Sequence, residues 1–113
     1  LVDDDQAVLT ILKDTLELRG YNVLAVENPL SAIEIFKQEV KQIRLVVTDI
    51  SMPLMDGYEF IRQIKSISPD IKIITISAIT QDTKRSDVKV SASLLKPFDP
   101  DQLEAAISQI VDS

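Results

Sequence analysis

The chain has 113 residues, 45% hydrophobic and 27% charged, which is typical of one folded domain, and we expect a single domain over 1–113. Twelve basic against eighteen acidic residues give a net charge of −6, which argues against direct binding to nucleic acid or membranes. Histidine and cysteine are absent, so any chemistry must use carboxylates, hydroxyls and lysines, and the lack of cysteine favours a cytoplasmic protein.

Apolar segments of strand length alternate with amphipathic helical stretches about five times along the chain. The predicted strands cover residues 1–2, 21–26, 43–48, 71–77 and 93–95. The predicted helices cover residues 6–19, 29–40, 58–67, 81–89 and 100–111. Two residues are too few for the first strand to pair well, so we expect the chain to be trimmed at its amino end.

Alternating strands and helices predict a parallel sheet with right-handed crossovers, and therefore a three-layer α/β sandwich. Functional groups in such a sheet collect at the carboxyl ends of the strands. The residues found at those predicted ends are Asp3, Asp4, Asp5, Asp49, Ser77 and Lys96.

Each of these side chains has an ordinary structural explanation when it is taken alone. Asp5 precedes the first helix, where an aspartate caps the helix, and neighbouring acids interact with the helix dipole. Taken together, however, converging carboxylates repel each other and need neutralisation, for which Mg²⁺ with oxygen ligands is suited. A lysine and a hydroxyl at the same edge can stabilise a transferred phosphoryl group, and a carboxylate can accept it.

Four short motifs stand in order at these strand ends. They are Leu-Val-Asp-Asp-Asp at 1–5, Thr-Asp-Ile-Ser-Met-Pro-Leu-Met-Asp-Gly at 48–57, Ser-Ala at 77–78 and Lys-Pro-Phe at 96–98. With these motifs the chain resembles the receiver domain of two-component response regulators, over residues 1–111. The resemblance implies a flavodoxin-like (βα)5 doubly wound parallel sheet with strand order 2-1-3-4-5. It also implies that the domain can be part of a larger regulator.

The resemblance assigns phosphorelay signalling to this site. It implies that Asp49 accepts a phosphoryl group from a sensor histidine kinase or a phosphotransfer protein, and that Ser77 and Lys96 contact that group. A receiver catalyses only its own phosphorylation and slow dephosphorylation, so we do not expect an enzyme acting on other substrates. An effector domain or a partner protein would read the phosphorylated state.

The resemblance also implies a Mg²⁺ site at the same strand ends. Asp4, Asp49 and the backbone carbonyl of Ser51 would hold the ion, and Asp3 would act mostly through a bound water. Asp56, the other acid of the loop after Asp49, is expected to cap the third helix instead of accepting the phosphoryl group.

The chain departs from the family pattern around its fifth strand. Ser93 stands where the family usually has Tyr or Phe, and Lys89 stands where it usually has Gly. The interval of eighteen residues between Ser77 and Lys96 is also shorter than usual. These departures predict that the phosphorylated state is passed to a partner without the help of an aromatic side chain at position 93.

Two other functions fit parts of the pattern. A haloacid-dehalogenase-type phosphatase also places Asp-x-Asp after its first strand, as Asp3 and Asp5 do, and would hydrolyse phosphate esters with Mg²⁺. It usually has Thr or Val two residues after that motif and a second acidic cluster after the lysine, which this sequence does not have. A pseudo-receiver would bind partners without chemistry, but it usually lacks one of the acids or the lysine.

Overall fold

The computed structural model describes residues 1–50, 55–77, 90–96 and 98–111. Its sheet contains three strands, β1 (Leu45–Asp49), β2 (Lys72–Ser77) and β3 (Ala92–Leu95). They are parallel and lie in the order β1-β2-β3. β1 and β2 are apolar and largely buried, as expected for strands covered on both faces.

The amino end of the chain extends this sheet by single bridges. Val2 pairs in parallel with Val26 on one side and with Thr48 of β1 on the other. β1 is the third of the predicted strands, so Val2 of the first lies between the second and the third, as the order 2-1-3 requires. The predicted strand over 21–26 is wrong in extent, since only Val26 is bridged.

Four helices are described: α1 (Gln6–Leu18), α2 (Pro29–Glu39), α3 (Gly57–Ile67) and α4 (Pro100–Val111). The side chains of Asp5, Asn28 and Asp56 cap the first three by accepting hydrogen bonds from backbone N–H groups. The helices predicted near these positions, and the cap at Asp56, are confirmed. The predicted helix over 81–89 lies outside the described residues. None of the described helices is long and apolar enough to cross a membrane.

The hydrophobic core consists of two clusters on opposite faces of the sheet. One includes Val46 with residues of α2 and α3, and the other includes Val47 with residues of α1 and α4. Adjacent residues of β1 therefore point into different clusters, as strand geometry requires. The predicted three-layer parallel α/β architecture is confirmed.

Candidate functional site

Three acids meet at the carboxyl end of the sheet. Asp49 is the last residue of β1, and Asp3 follows the residue that bridges β1. One carboxylate oxygen from each of Asp3, Asp4 and Asp49 lies within 4.8 Å of the others. Asp3 and Asp49 are buried, whereas Asp4 is exposed. The structure thus brings together the three acids whose side chains the sequence predicts as metal ligands.

Lys96 supplies the positive charge at this site. Its Nζ lies 3.1 Å from Oδ2 of Asp3 and 3.1 Å from Oδ2 of Asp49. The ammonium is oriented to donate a hydrogen bond to Asp49, and its contact with Asp3 is an ion pair. Partial burial lowers the pKa of Lys96, but the contacts with the two carboxylates outweigh this effect, so that its pKa is raised above the ordinary value. Lys96 is therefore a firmly protonated counterion of the acids.

The backbone connects Lys96 with Ser77. Ser77 is buried at the end of β2, and its carbonyl accepts a hydrogen bond from the Lys96 N–H at 2.7 Å. Asp49 pairs with Ile76 in the sheet, one residue before Ser77. The residues predicted from the ends of β1, β2 and β3 therefore stand at one edge.

Asp3 is held by a backbone hydrogen bond and an ion pair. Its Oδ1 accepts a hydrogen bond from the Asp5 N–H at 2.9 Å. Its Oδ2 is completely buried and accepts no hydrogen bond from the described residues, although Lys96 lies in ion-pair contact. A buried carboxylate oxygen with unused acceptor capacity is the kind of atom that a bound cation or an ordered water satisfies.

The donor set fits Mg²⁺. Three carboxylates against one lysine leave negative charge in excess, and carboxylate oxygens are the ligands that this hard cation prefers. The exposed position of Asp4 gives solvent access to the cluster, which suits an ion that usually keeps several waters. Ser51, the predicted carbonyl ligand, lies outside the described residues.

The loop after Asp49 closes at Gly57. The Gly57 N–H donates a hydrogen bond to the Ile50 carbonyl at 3.0 Å. A Cβ at position 57 would lie 2.4 Å from the Ile50 Cα and 3.0 Å from the Asp49 carbonyl oxygen. Only glycine fits this close approach, so Gly57 contributes to the backbone position at the end of β1.

Two contacts at or just below this edge have no counterpart in the sequence analysis. The first is the ion pair of Lys96 with Asp3, and the second is a hydrogen bond of 2.7 Å between the hydroxyls of Thr75 and Ser93. Neither leaves a local sequence signal. Both join residues far apart in sequence, and only the strand register brings them together.

The family follows from a comparison with known sequences. A family model described as the response regulator receiver domain matches residues 1–108. The chain belongs to this family. The residues of the predicted site described above all fall within the matched range.

Known relatives and solved structures agree with this assignment. The receiver domain is 37% identical over 112 residues to the transcriptional regulatory protein ZraR of Klebsiella oxytoca, covering 96% of this chain and 25% of that protein. It is 31% identical over 115 residues to the sensor kinase CckA of Brucella abortus, covering 99% of this chain and 12% of the kinase. A CheY-like receiver domain protein from Methanospirillum hungatei matches with a TM-score of 0.90 at 27% identity, covering 98% and 90% of the two chains. The chain spans less than half the length of the curated relatives it matches.

Proposed function

We propose that this receiver domain accepts a phosphoryl group on Asp49 from the phosphohistidine of a sensor kinase or a phosphotransfer protein. In this reaction a carboxylate oxygen of Asp49 forms a bond to phosphorus and the phosphorus–nitrogen bond of the donor breaks. The ring nitrogen of the leaving imidazole takes up a proton from solvent in place of the phosphoryl group. The observation that carries the proposal is the contact of Lys96 with Asp49 inside the cluster of three acids.

The surrounding side chains have separate roles in this reaction. Lys96 stabilises negative charge on the phosphoryl oxygens, and the Ser77 hydroxyl donates a hydrogen bond to the same group. Asp4 and Asp49 would hold Mg²⁺, with Asp3 acting mostly through a bound water, and the ion would offset the repulsion between an anionic donor and the acids.

The position of Asp5 disfavours the phosphatase alternative. That chemistry would use Asp3 and Asp5 together, but the Asp5 side chain accepts hydrogen bonds from the N–H groups of Ala7 and Val8. Asp4, not Asp5, belongs to the acidic cluster. We therefore propose a phosphoacceptor without turnover of other substrates. The retained lysine and acids likewise disfavour a pseudo-receiver.

The named relatives support the wider role that we propose. One is a transcriptional regulator and the other a sensor kinase, and each is much longer than this chain. A histidine kinase as phosphoryl donor and an effector that reads the phosphorylated state fit both contexts. A cytoplasmic location is part of this proposal.

Phosphorylation in vitro tests the assignment of the acceptor. The chain is incubated with acetyl phosphate and Mg²⁺, and intact mass and peptide mapping record the modification. We expect one phosphoryl group on Asp49, none in Asp49→Asn and normal modification in Asp56→Asn, since Asp56 caps α3. Modification that persists in Asp49→Asn would overturn the assignment. Steady hydrolysis of a generic phosphate ester would favour the phosphatase.

A further inference from the structure

A pair of hydroxyl groups joins β2 and β3 just below the site. Thr75 and Ser93 are directly opposite each other in the strand register, and their hydroxyl oxygens are 2.7 Å apart. Thr75 lies two residues before Ser77 on β2. Ser93 lies on β3, three residues before Lys96, which directly follows that strand. It is therefore part of the same ladder that carries both residues to the sheet edge.

Burial makes this hydrogen bond important for Thr75. Thr75 is 1% exposed, and Ser93 is the partner that the described part of the chain shows for its hydroxyl. Ser93 itself is exposed, so water can satisfy its hydroxyl in the absence of Thr75. A buried hydroxyl without a partner is unfavourable. The stabilisation from this contact thus holds β3 against β2.

β3 is otherwise held by its ladder with β2 and by the packing of Ala92 and Leu94 against the core. It is four residues long and, among the described strands, pairs only with β2. Its exposure alternates between intermediate and exposed, without a fully buried residue. The side-chain contact between Thr75 and Ser93 therefore adds a specific constraint to a short edge strand.

We propose that the hydrogen bond between Thr75 and Ser93 positions Lys96 against Asp49. The proposal rests on the proposed phosphoacceptor function, because it assigns Thr75 and Ser93 as positioning residues for that reaction. The link is the backbone: Ser93 fixes β3 laterally, and Lys96 leaves β3 with its N–H bonded to the Ser77 carbonyl. A small lateral shift of β3 would move the ammonium away from its 3.1 Å contact with Asp49. Reactions that depend on such positioning lose rate steeply with displacement.

A double-mutant cycle tests whether Ser93 acts through Lys96. The initial rate of phosphorylation by acetyl phosphate is measured in the wild type, Ser93→Ala, Lys96→Met and the double variant. We expect Ser93→Ala to lower the rate about three- to tenfold, the effect of one lost hydrogen bond. In the Lys96→Met background the same substitution should have no further effect, because the group that it positions is absent. An equal loss in both backgrounds, or no loss in either, would refute the proposal.

Two further variants control for a general loss of structure. Ser93→Thr keeps a hydroxyl on the strand and should restore most of the rate. Ser91→Ala removes an exposed hydroxyl two residues earlier and should leave the rate unchanged. Failure of Ser93→Thr to restore the rate, or an equal loss in Ser91→Ala, would contradict a specific role of the hydroxyl pair.

Amide hydrogen exchange provides a measurement that needs no phosphorylation. The Lys96 N–H should exchange faster in Ser93→Ala, while core amides such as that of Ile74 keep their rates. Uniform acceleration, or an unchanged rate at Lys96, would contradict the positioning role. A chain that takes no phosphoryl group but shows selective acceleration at Lys96 would refute the proposed function and leave the positioning role supported.

Discussion

Replacement of Lys96 by methionine separates the electrostatic role of this side chain from its size. The ammonium is 3.1 Å from Oδ2 of both Asp3 and Asp49, and these two carboxylates are buried. Lys96→Met keeps an unbranched side chain of similar length but removes its charge. Two effects should follow: the metal-free protein loses stability, and the acidic cluster binds Mg²⁺ more tightly.

The structure supports an estimate of both effects. Unit charges at this distance attract by about 5 kcal/mol at an effective dielectric of about 20, but most of this offsets the loss of hydration. Removing one partner of a buried pair costs about 3–5 kcal/mol, and the 26% exposure of the Lys96 side chain places the expected loss at about 3 kcal/mol. Loss of a positive charge beside the metal ligands should tighten Mg²⁺ binding about tenfold or more, equivalent to about 1.4 kcal/mol.

Urea unfolding in chelator and over a Mg²⁺ titration measures both quantities. The Mg²⁺ concentration that gives half of the maximal stabilisation should fall in Lys96→Met, because a ligand stabilises the fold by mass action. Lys13→Met is the matched control, since Lys13 pairs with Glu17 on the helix surface and should change stability by less than about 0.5 kcal/mol. A Lys96→Met protein as stable as the wild type in chelator, with the same Mg²⁺ midpoint, would refute this reasoning.

Three further outcomes are expected from the same structure. Asp4→Ala should abolish stabilisation by Mg²⁺. Asp5→Ala should keep this stabilisation but lower the free energy of unfolding in urea by about 1 kcal/mol, because a helix cap is lost. Equal responses of the two variants to Mg²⁺ would contradict the assignment of Asp4 to the acidic cluster. Gly57→Ala should destabilise the fold by about 1–3 kcal/mol, because its Cβ would meet Ile50, and an unchanged urea midpoint would count against this close approach. Because the pKa of Lys96 is raised on folding, its stabilising effect should be complete below about pH 10 and disappear as the pH rises through the folded-state pKa. Above neutral pH, the stability difference between the wild type and Lys96→Met should therefore narrow only in alkali, and a difference that closes near neutral pH would contradict the assignment.

Features with a local chemical cause were predictable from the sequence. Asn28 followed by Pro29 indicates a helix start, and the structure caps α2 with the Asn28 side chain. The convergence of Asp49 with Asp3 follows from a general property of parallel sheets, once the strands are recognised. These predictions needed no knowledge of how distant side chains meet.

Features that depend on a distant partner were not predictable. The segment 21–26 has the composition of a strand, but only Val26 is bridged, and composition alone does not encode which residues pair. The hydrogen bond between Thr75 and Ser93 depends on the register of β2 with β3, which hydrophobic periodicity does not encode. The contact of Lys96 with Asp3 depends in addition on the reach of a long side chain.

The ion pairs of Lys96 also bear on when the site comes into existence during folding. Asp3 stands near the amino end, Asp49 in the middle and Lys96 close to the carboxyl end of the chain. Contacts of such long sequence separation require loop closure before they contribute stability. A chain emerging from the ribosome cannot assemble the acids with their lysine until β3 and Lys96 have been released and β3 has docked. Under the proposed function, the competence to be phosphorylated would thus report that β3 has docked, and chains without a docked β3 could not compete for the phosphoryl donor.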